Sequence, residues 1–174
     1  MEVVDLSLLT QAETGLSAAW CSSHAECAAL CLERHDHQPG VAMPVEATES
    51  TTFTITFVLP SEMAVGSWEI EQATEFGAYA IGLLVVKRVL GITKFQRSYR
   101  GGNRGFDFYG GEGATLLFQK TTRIELSGIL RGDAADVARR VVEKLRQIGA
   151  ADAALPAYAV VVEFSRPTTA VKAK

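Results

Sequence analysis

The stretch that decides the fold runs from Gly105 to Gly128 and reads GFDFYGGEGATLLFQKTTRIELSG. Its pattern predicts two strands joined by a glycine-rich turn, with Asp107 on the first strand and Glu125 on the second. Because side chains alternate between the two faces of a strand, Ser127 is expected on the same face as Glu125. Carboxylates within apolar strands are costly to bury unless they are paired, hydrogen-bonded or bound to a cation. Asp107 and Glu125 are therefore candidate functional residues.

The composition bounds the class of protein. The chain has 174 residues, of which 48% are hydrophobic, and a formal net charge of −3. This length and apolar content suffice for one packed domain, so residues 1–174 are predicted to form a single domain. A net negative charge excludes a global basic surface of the kind that advertises nucleic-acid binding.

Positive charges nevertheless cluster just before the central stretch. Six basic residues and no acidic residue lie between Lys87 and Arg104. Such a run is either a surface for an anionic partner or a solvated face. On the first interpretation, the nucleic-acid-binding residues are Lys94, Arg97, Arg100 and Arg104.

The cysteines and the apolar segments indicate where the protein works. Cys21, Cys27 and Cys31 form an odd, clustered set, which predicts reduced thiols and a cytoplasmic protein rather than a disulfide framework. The acidic start MEVVDLSLL lacks the positive region of a secretory signal. The longest apolar run, AYAIGLLVV, is too short to cross a bilayer, so no membrane partner is expected.

Histidines near the cysteines invite a zinc interpretation, which the geometry of a helix opposes. His24, Cys27, Cys31 and His35 fall on one predicted helix, and residues seven apart on a helix are separated by about 10 Å along its axis. One tetrahedral ion cannot bridge that distance. Buried thiols are the preferred interpretation.

The N-terminal third predicts a helix, a loop and a strand. Residues 5–34 read as largely helical, with Thr10 and Glu13 as a capping box. Residues 36–50 read as a loop, and TTFTITFVLP after it reads as a half-buried strand. The apolar face of the N-terminal helix offers a surface for a homo-oligomer.

The remainder predicts an alternation of helices and strands. A second helix is expected from Ser67 to Leu90, ended by Gly91. The strands ITKFQRSYR and FDFYG follow, joined by GGNRG, and a third strand covers about residues 115–130. Asp133 caps an amphipathic helix, AYAVVVEFS is a buried strand, and residues 166–174 are expected to be loose.

This order resembles the restriction-endonuclease-like superfamily, the PD-(D/E)xK nucleases. The resemblance covers about residues 67–165, in which Glu75 falls on the first helix, Asp107 on the second strand and Glu125 on the third. It implies an α/β (α+β) fold with a central mixed sheet flanked by helices and an αβββαβ core. Residues 1–60 would form an N-terminal helix and strand extension to that core.

The resemblance also implies a chemistry. Asp107 and Glu125 would hold Mg²⁺ or Mn²⁺, with the Leu126 carbonyl as a further ligand, and Glu75 would bind a second metal or a metal-bound water. Hard oxygen ligands suit such cations. In this superfamily the metal activates a water that attacks a phosphodiester, so the implied substrate is DNA or RNA.

The sequence departs from the superfamily pattern at two positions. Phe106 stands where the motif has proline, and Ser127 stands where it has lysine. Lys120 is five residues from Glu125, so strand parity places it on the opposite face. Arg123 has the right parity to serve as the missing cation and is included with Ser127 among the candidate catalytic residues.

Two interpretations remain open at this stage. Either the positive charge has moved elsewhere, to Arg123 or to Arg97 or Arg100 on a neighbouring strand, or the chain is an inactive nuclease fold. In the second case Asp107 and Glu125 are ordinary strand acids paired with arginines. The chain would then be a non-catalytic interaction module, a homodimer or a subunit of a larger complex.

Overall fold

The computed structural model describes residues 2–11, 14–98, 105–112 and 117–174, which form one mixed sheet flanked by helices. In chain order, the elements are β1 Glu2–Asp5, α1 Leu8–Gln11, α2 Ala18–Glu33, β2 Val41–Glu46, β3 Thr51–Thr56, α3 Glu62–Ser67, α4 Ile70–Leu90, β4 Lys94–Arg97, β5 Phe108–Glu112, β6 Gln119–Ile129, α5 Ala134–Gln147, β7 Ala157–Glu163 and β8 Thr168–Ala173.

The eight strands lie in the order β1-β3-β2-β8-β7-β6-β5-β4. The pairs β1–β3, β2–β8 and β6–β7 are parallel, and the other neighbouring strands are antiparallel. The predicted fold class, a mixed sheet flanked by helices, is confirmed. From α4 onward the elements follow the order helix, three strands, helix, strand and a further strand.

Helices cover both faces of the sheet. Val160 and Val162 of β7 belong to the main core with α2 and α4, whereas Val161 between them packs with Val137 and Val141 of α5. Since successive side chains alternate between faces, α4 and α5 lie on opposite sides of β7. A site near the end of β6 can therefore receive side chains from both helices.

A glycine lets α2 and α4 approach closely. A Cβ atom on Gly77 would lie 2.9 Å from the backbone of Ala28, closer than a side chain tolerates. The contact covers the inner face of α2, where eight residues are buried. The apolar surface expected to serve a homo-oligomer is thus occupied within the chain.

Helix ends follow local capping, with one difference from the prediction. Asp133 caps α5 in a capping box with Asp136, and α4 ends at Gly91 in the left-handed conformation, as expected. The helix predicted from Ser67 to Leu90 is α4, which begins three residues later, and a short helix that was not predicted precedes it. Ser61 caps α3, which ends at Ser67, and α4 begins separately at Ile70.

The N-terminal prediction was wrong in its details. Residues 2–5 form β1, and α2 starts only after Ser17, whose hydroxyl accepts from the Trp20 amide. Thr10 lies inside α1 instead of capping a long helix, and Glu13 is outside the described residues. Within the predicted loop, residues 41–46 alternate buried and exposed side chains and form β2.

The C-terminal segment is not loose. Residues 168–173 form β8, which lies between β7 and β2 in the interior of the sheet. Thr169, Ala170 and Val171 are buried because both faces of this strand are covered. No helix among the described residues combines the length and apolar character needed to cross a membrane.

Candidate functional site

Asp107 lies where β5 leaves its ladder with β6. The strand begins at Phe108, and the Asp107 side chain accepts a hydrogen bond from the backbone of β6. The Leu126 amide donates to Asp107 Oδ2 at 2.9 Å. The expected alternation breaks at this point, since Phe106 packs on Tyr109 instead of sharing the face of Phe108. The Asp107 residue is only 5% exposed, and this hydrogen bond holds its carboxylate in place.

Tyr79 of α4 links Asp107 to Glu75. Its hydroxyl oxygen lies 2.6 Å from Glu75 Oε1 and 3.0 Å from Asp107 Oδ1. A phenol has one hydrogen, so it donates to one of these carboxylates at a time. Burial first, and then the negative charge of Asp107, raise the pKa of Tyr79, so the hydroxyl stays a neutral donor. Glu75, a predicted site residue, is thereby brought to the site.

Glu125 of β6 is buried beside a cation and an anion. Its Oε1 accepts from Lys144 Nζ of α5 at 2.7 Å, and the residue is 3% exposed. Burial and then the charge of Asp107 raise the pKa of Glu125 to about 8, against the opposing effect of Lys144. Asp107 Oδ2 accepts from the amide of Leu126, the residue that follows Glu125, and both acids line one cavity, so the two carboxyl groups are close neighbours.

These residues line an open cavity of about 550 Å³. Its walls carry four carboxylates, from Glu71, Glu75, Asp107 and Glu125, and two cations, from Arg140 and Lys144. The lining therefore has a formal excess of two negative charges when all six groups are ionised. A divalent cation would neutralise that excess.

Lys144 supplies a positive charge that was not predicted from the sequence. It reaches Glu125 from α5, whereas the superfamily pattern places lysine two residues after the glutamate. Ser127, which occupies that motif position, lines the same cavity and accepts from Arg140 Nη1 at 2.9 Å. A signal was present in the sequence: Arg140 and Lys144 are one helical turn apart, at the border of the apolar stripe of α5.

Arg123 requires a correction. It is buried and does not line the cavity, although its parity is that of Glu125. Its guanidinium donates to the carbonyl oxygens of Gly149, Ala151 and Leu155 at 2.9–3.2 Å. Arg123 therefore holds the connection between α5 and β7 and does not provide the cation of the site.

Lys120 was predicted to lie on the strand face opposite to Glu125, and this prediction was also wrong. Gly110 pairs with Thr122 and Gly111 with Lys120, so β6 contains one extra residue, Thr121, at a bulge. The bulge returns Lys120 to the face of Tyr109, and its Nζ lies 3.9 Å from the centroid of that ring. Lys120 is not among the residues that line the cavity.

The predicted nucleic-acid-binding residues are only partly placed. Arg100 and Arg104 lie outside the described residues, and Lys94 is half-buried on β4. The guanidinium carbon of Arg97 lies 5.1 Å from the Tyr79 ring centroid and 4.8 Å from that of Phe108. Arg97 therefore packs behind the site instead of lining its cavity.

The donor atoms fit a magnesium ion better than a softer metal. Among the described residues, no three His, Cys, Asp or Glu side chains are grouped to hold a metal. Mg²⁺, however, commonly binds through one or two carboxylates and retains several waters. The neighbouring carboxyl groups of Asp107 and Glu125 are the residues that could hold such an ion, and a cation near both would relieve their repulsion.

The cysteines take no part in the site. All three are free and buried, as predicted, and burial raises the pKa of Cys27 and of Cys31 to about 12. Such thiols stay protonated near neutral pH and are poor nucleophiles and poor metal ligands.

Comparison with known proteins adds no relative. No family model matches the chain, and neither a curated protein nor a solved structure matches it.

Proposed function

We propose that the chain is a metal-dependent nuclease that hydrolyses phosphodiester bonds in DNA or RNA. The observation that supports this most is the placement of the buried carboxyl groups of Asp107 and Glu125 close together, with Lys144 beside them, at the wall of an open cavity. Membership of the restriction-endonuclease-like superfamily and a cytoplasmic location, which the reduced thiols suit, belong to the same proposal.

The proposed roles follow from the contacts. Asp107 and Glu125 hold Mg²⁺ or Mn²⁺, which when bound supplies an activated water and stabilises negative charge on the phosphoryl group. Tyr79 and the Leu126 amide fix the Asp107 carboxylate. Lys144 orients Glu125 and supplies a positive charge where a phosphate would approach.

Nuclease activity is tested with labelled single-stranded DNA, duplex DNA and RNA, each in Mg²⁺, in Mn²⁺ and in EDTA. Cleavage is expected with a metal and not in EDTA. Asp107→Asn and Glu125→Gln should each reduce it by at least about a hundredfold, since each removes a metal ligand. Glu33→Gln, at the exposed end of α2, is the matched control and should cleave normally. Absence of cleavage on every substrate, together with absence of metal binding in calorimetry, would overturn the proposal.

An exposed apolar segment favours the second candidate, a non-catalytic interaction module. Val58, Leu59, Met63 and Val65 are all at least 50% exposed, and Val58 and Met63 are above 80%. Clustered exposed apolar residues of this kind are typical of interaction sites. A stable oligomer in light scattering that Met63→Glu dissociates and Glu125→Gln leaves intact would support this candidate. A strict monomer would argue against it.

A further inference from the structure

The two cations of the cavity have different surroundings. Lys144 Nζ is occupied by Glu125 Oε1 at 2.7 Å and by Gln147 Oε1 at 3.1 Å. Arg140, one turn earlier on α5, is engaged through its Nη1 and Nε atoms. Its role is not explained by the carboxylate pair, which it does not contact.

Arg140 keeps donors available beside the cavity. Nη1 donates to Ser127 Oγ at 2.9 Å and lies 3.5 Å from the Gly128 carbonyl oxygen, and Nε lies 3.3 Å from Glu143 Oε2. Among the described residues, Nη2 has no acceptor. A guanidinium held in this way presents its remaining N–H groups in a fixed orientation, which is the arrangement that recognises phosphate oxygens.

The anchor of Arg140 is one strand step from the proposed metal ligand. Ser127 and Glu125 are two residues apart on β6 and line the same cavity. Two residues along a strand span about 6.6 Å. Neighbouring phosphates of an extended nucleic-acid strand are separated by a similar distance. A phosphate beside Arg140 is thus adjacent to one at the carboxylate pair.

We infer that Arg140 binds the phosphate next to the one that is cleaved. The substrate is then a nucleic-acid strand with at least two consecutive phosphodiesters, and not an isolated phosphate ester. This inference rests on the proposed nuclease function and assigns the class of substrate to its site.

Binding of a labelled oligonucleotide tests the inference without requiring cleavage. Fluorescein-labelled single-stranded and duplex DNA are titrated with wild type, Arg140→Gln and Arg139→Gln in Ca²⁺. Arg139 is the matched control because its exposed side chain pairs with Asp136 on α5 and does not line the cavity. Loss of one charge-assisted phosphate contact should weaken binding about tenfold in R140Q, whereas R139Q should lie within about twofold of wild type.

The salt dependence separates a phosphate contact from a structural role. Each phosphate contact contributes about 0.7–0.9 to the slope of log affinity against log salt concentration, so R140Q should lower the slope by that amount. Arg140→Lys, which keeps the charge but loses the planar fork, should keep the slope and bind with intermediate affinity. Equal losses in R140Q and R139Q, an unchanged slope in R140Q, or no binding of either DNA by wild type would overturn the inference.

Substrate length provides the second test. Wild type should cleave a trinucleoside diphosphate at least about tenfold more efficiently than a dinucleoside monophosphate, and R140Q should remove that difference. A difference that persists in R140Q contradicts the role of Arg140 and leaves the nuclease proposal intact. Binding that depends on Arg140 in a chain without cleavage would instead retain the phosphate contact and reject the nuclease proposal.

Discussion

The ammonium group of Lys144 lies 2.7 Å from a carboxylate oxygen of Glu125, although 19 residues separate them in the chain. The side chains of Lys144 and Glu125 are only 19% and 4% exposed. The pair therefore experiences less screening by solvent than a surface ion pair. It brings a positive charge beside Glu125 on a strand that has a serine, Ser127, two residues further on.

Replacing Lys144 with methionine tests this assignment. The pKa of Glu125 should rise further above 8, because Lys144 now lowers it; carbon NMR of the carboxyl group measures the change. If the chain is a nuclease, the cleavage rate should fall by about 10²–10³, as for other groups that stabilise transition-state charge. Arg146→Gln, on the exposed part of α5, should alter neither quantity. An unchanged Glu125 titration in K144M would contradict the contact.

The titration of Glu125 predicts a pH dependence of stability. The native state holds this proton more tightly than the unfolded chain, so the free energy of unfolding should fall as pH rises from about 4.5 to about 8 and then level off. In Glu125→Gln this decline should be smaller by an amount on the order of a few kcal/mol. Urea unfolding at a series of pH values measures it.

Magnesium should affect the same contribution of Glu125 to the free energy of unfolding. In wild type above about pH 8, Mg²⁺ should raise the free energy of unfolding, because a bound cation relieves the repulsion between Asp107 and Glu125. The glutamine variant should show no such response. A shift of equal size in wild type and E125Q would place the metal elsewhere.

The Tyr79 hydroxyl is expected to position the Asp107 carboxylate. In Tyr79→Phe, Asp107 and Glu75 lose the one hydroxyl donor that lies 3.0 Å and 2.6 Å from their carboxylate oxygens. Removal of such outer contacts commonly lowers metal affinity by about 10–100-fold, which calorimetry with Mn²⁺ can measure. Tyr158→Phe, on β7 outside the cavity, is the control and should bind Mn²⁺ as wild type does. Equal affinities for wild type and Y79F would show that the hydroxyl does not orient Asp107.

The buried ring of His24 is expected to make the fold less stable in acid. Its ring is stacked between Trp20 and Phe76, and burial lowers its pKa from 6.5 to about 4. The unfolded chain takes up this proton first, so the free energy of unfolding should decline between about pH 6.5 and pH 4. Relative to His24→Phe, the decline in wild type should be on the order of 2 kcal/mol. Thermal unfolding that shows the same decline in both proteins would reject this cause.

Gly77 predicts a steric effect on the contact between α2 and α4. A methyl group there would meet the Ala28 backbone at 2.9 Å, so Gly77→Ala should destabilise the fold by about 1–3 kcal/mol despite its better helix propensity. Gly66→Ala on α3 is the control, because no atom lies within 4 Å of its added methyl. It should stabilise by up to about 1 kcal/mol. Equal urea midpoints for G77A and G66A would contradict the close approach.

The elements with strong local signals could be predicted, and those that depend on distant partners could not. Asp133 marks the start of α5 and Gly91 the end of α4, because caps act within one turn. The short strand at residues 41–46 and the strand at residues 168–173 lack such signals. Each pairs with the strand next to it in the chain, but its other partner is the other of the two, far away in the sequence.

The candidate site shows the same division. Asp107, Glu125 and Ser127 stand out as polar residues within apolar strands, and all three line the cavity. The position of Lys144 beside the apolar stripe of α5 indicates that it lies near the sheet, but which strand residue it meets depends on how the helix crosses the sheet. The face of Lys120 was wrongly predicted for a related reason. A bulge changes which residues of a strand share a face, and the sequence does not mark the bulge clearly.

The position of β8 has a consequence for synthesis. This strand comes last in chain order among the eight, yet it lies between β2 and β7 and is the element through which they join. Because β8 is synthesised last of the eight strands, β2 and β7 each lack one neighbour in the sheet until it has been made. The two parts of the sheet can therefore join only after residues 168–173 have been made, and strand edges left unpaired before then favour aggregation.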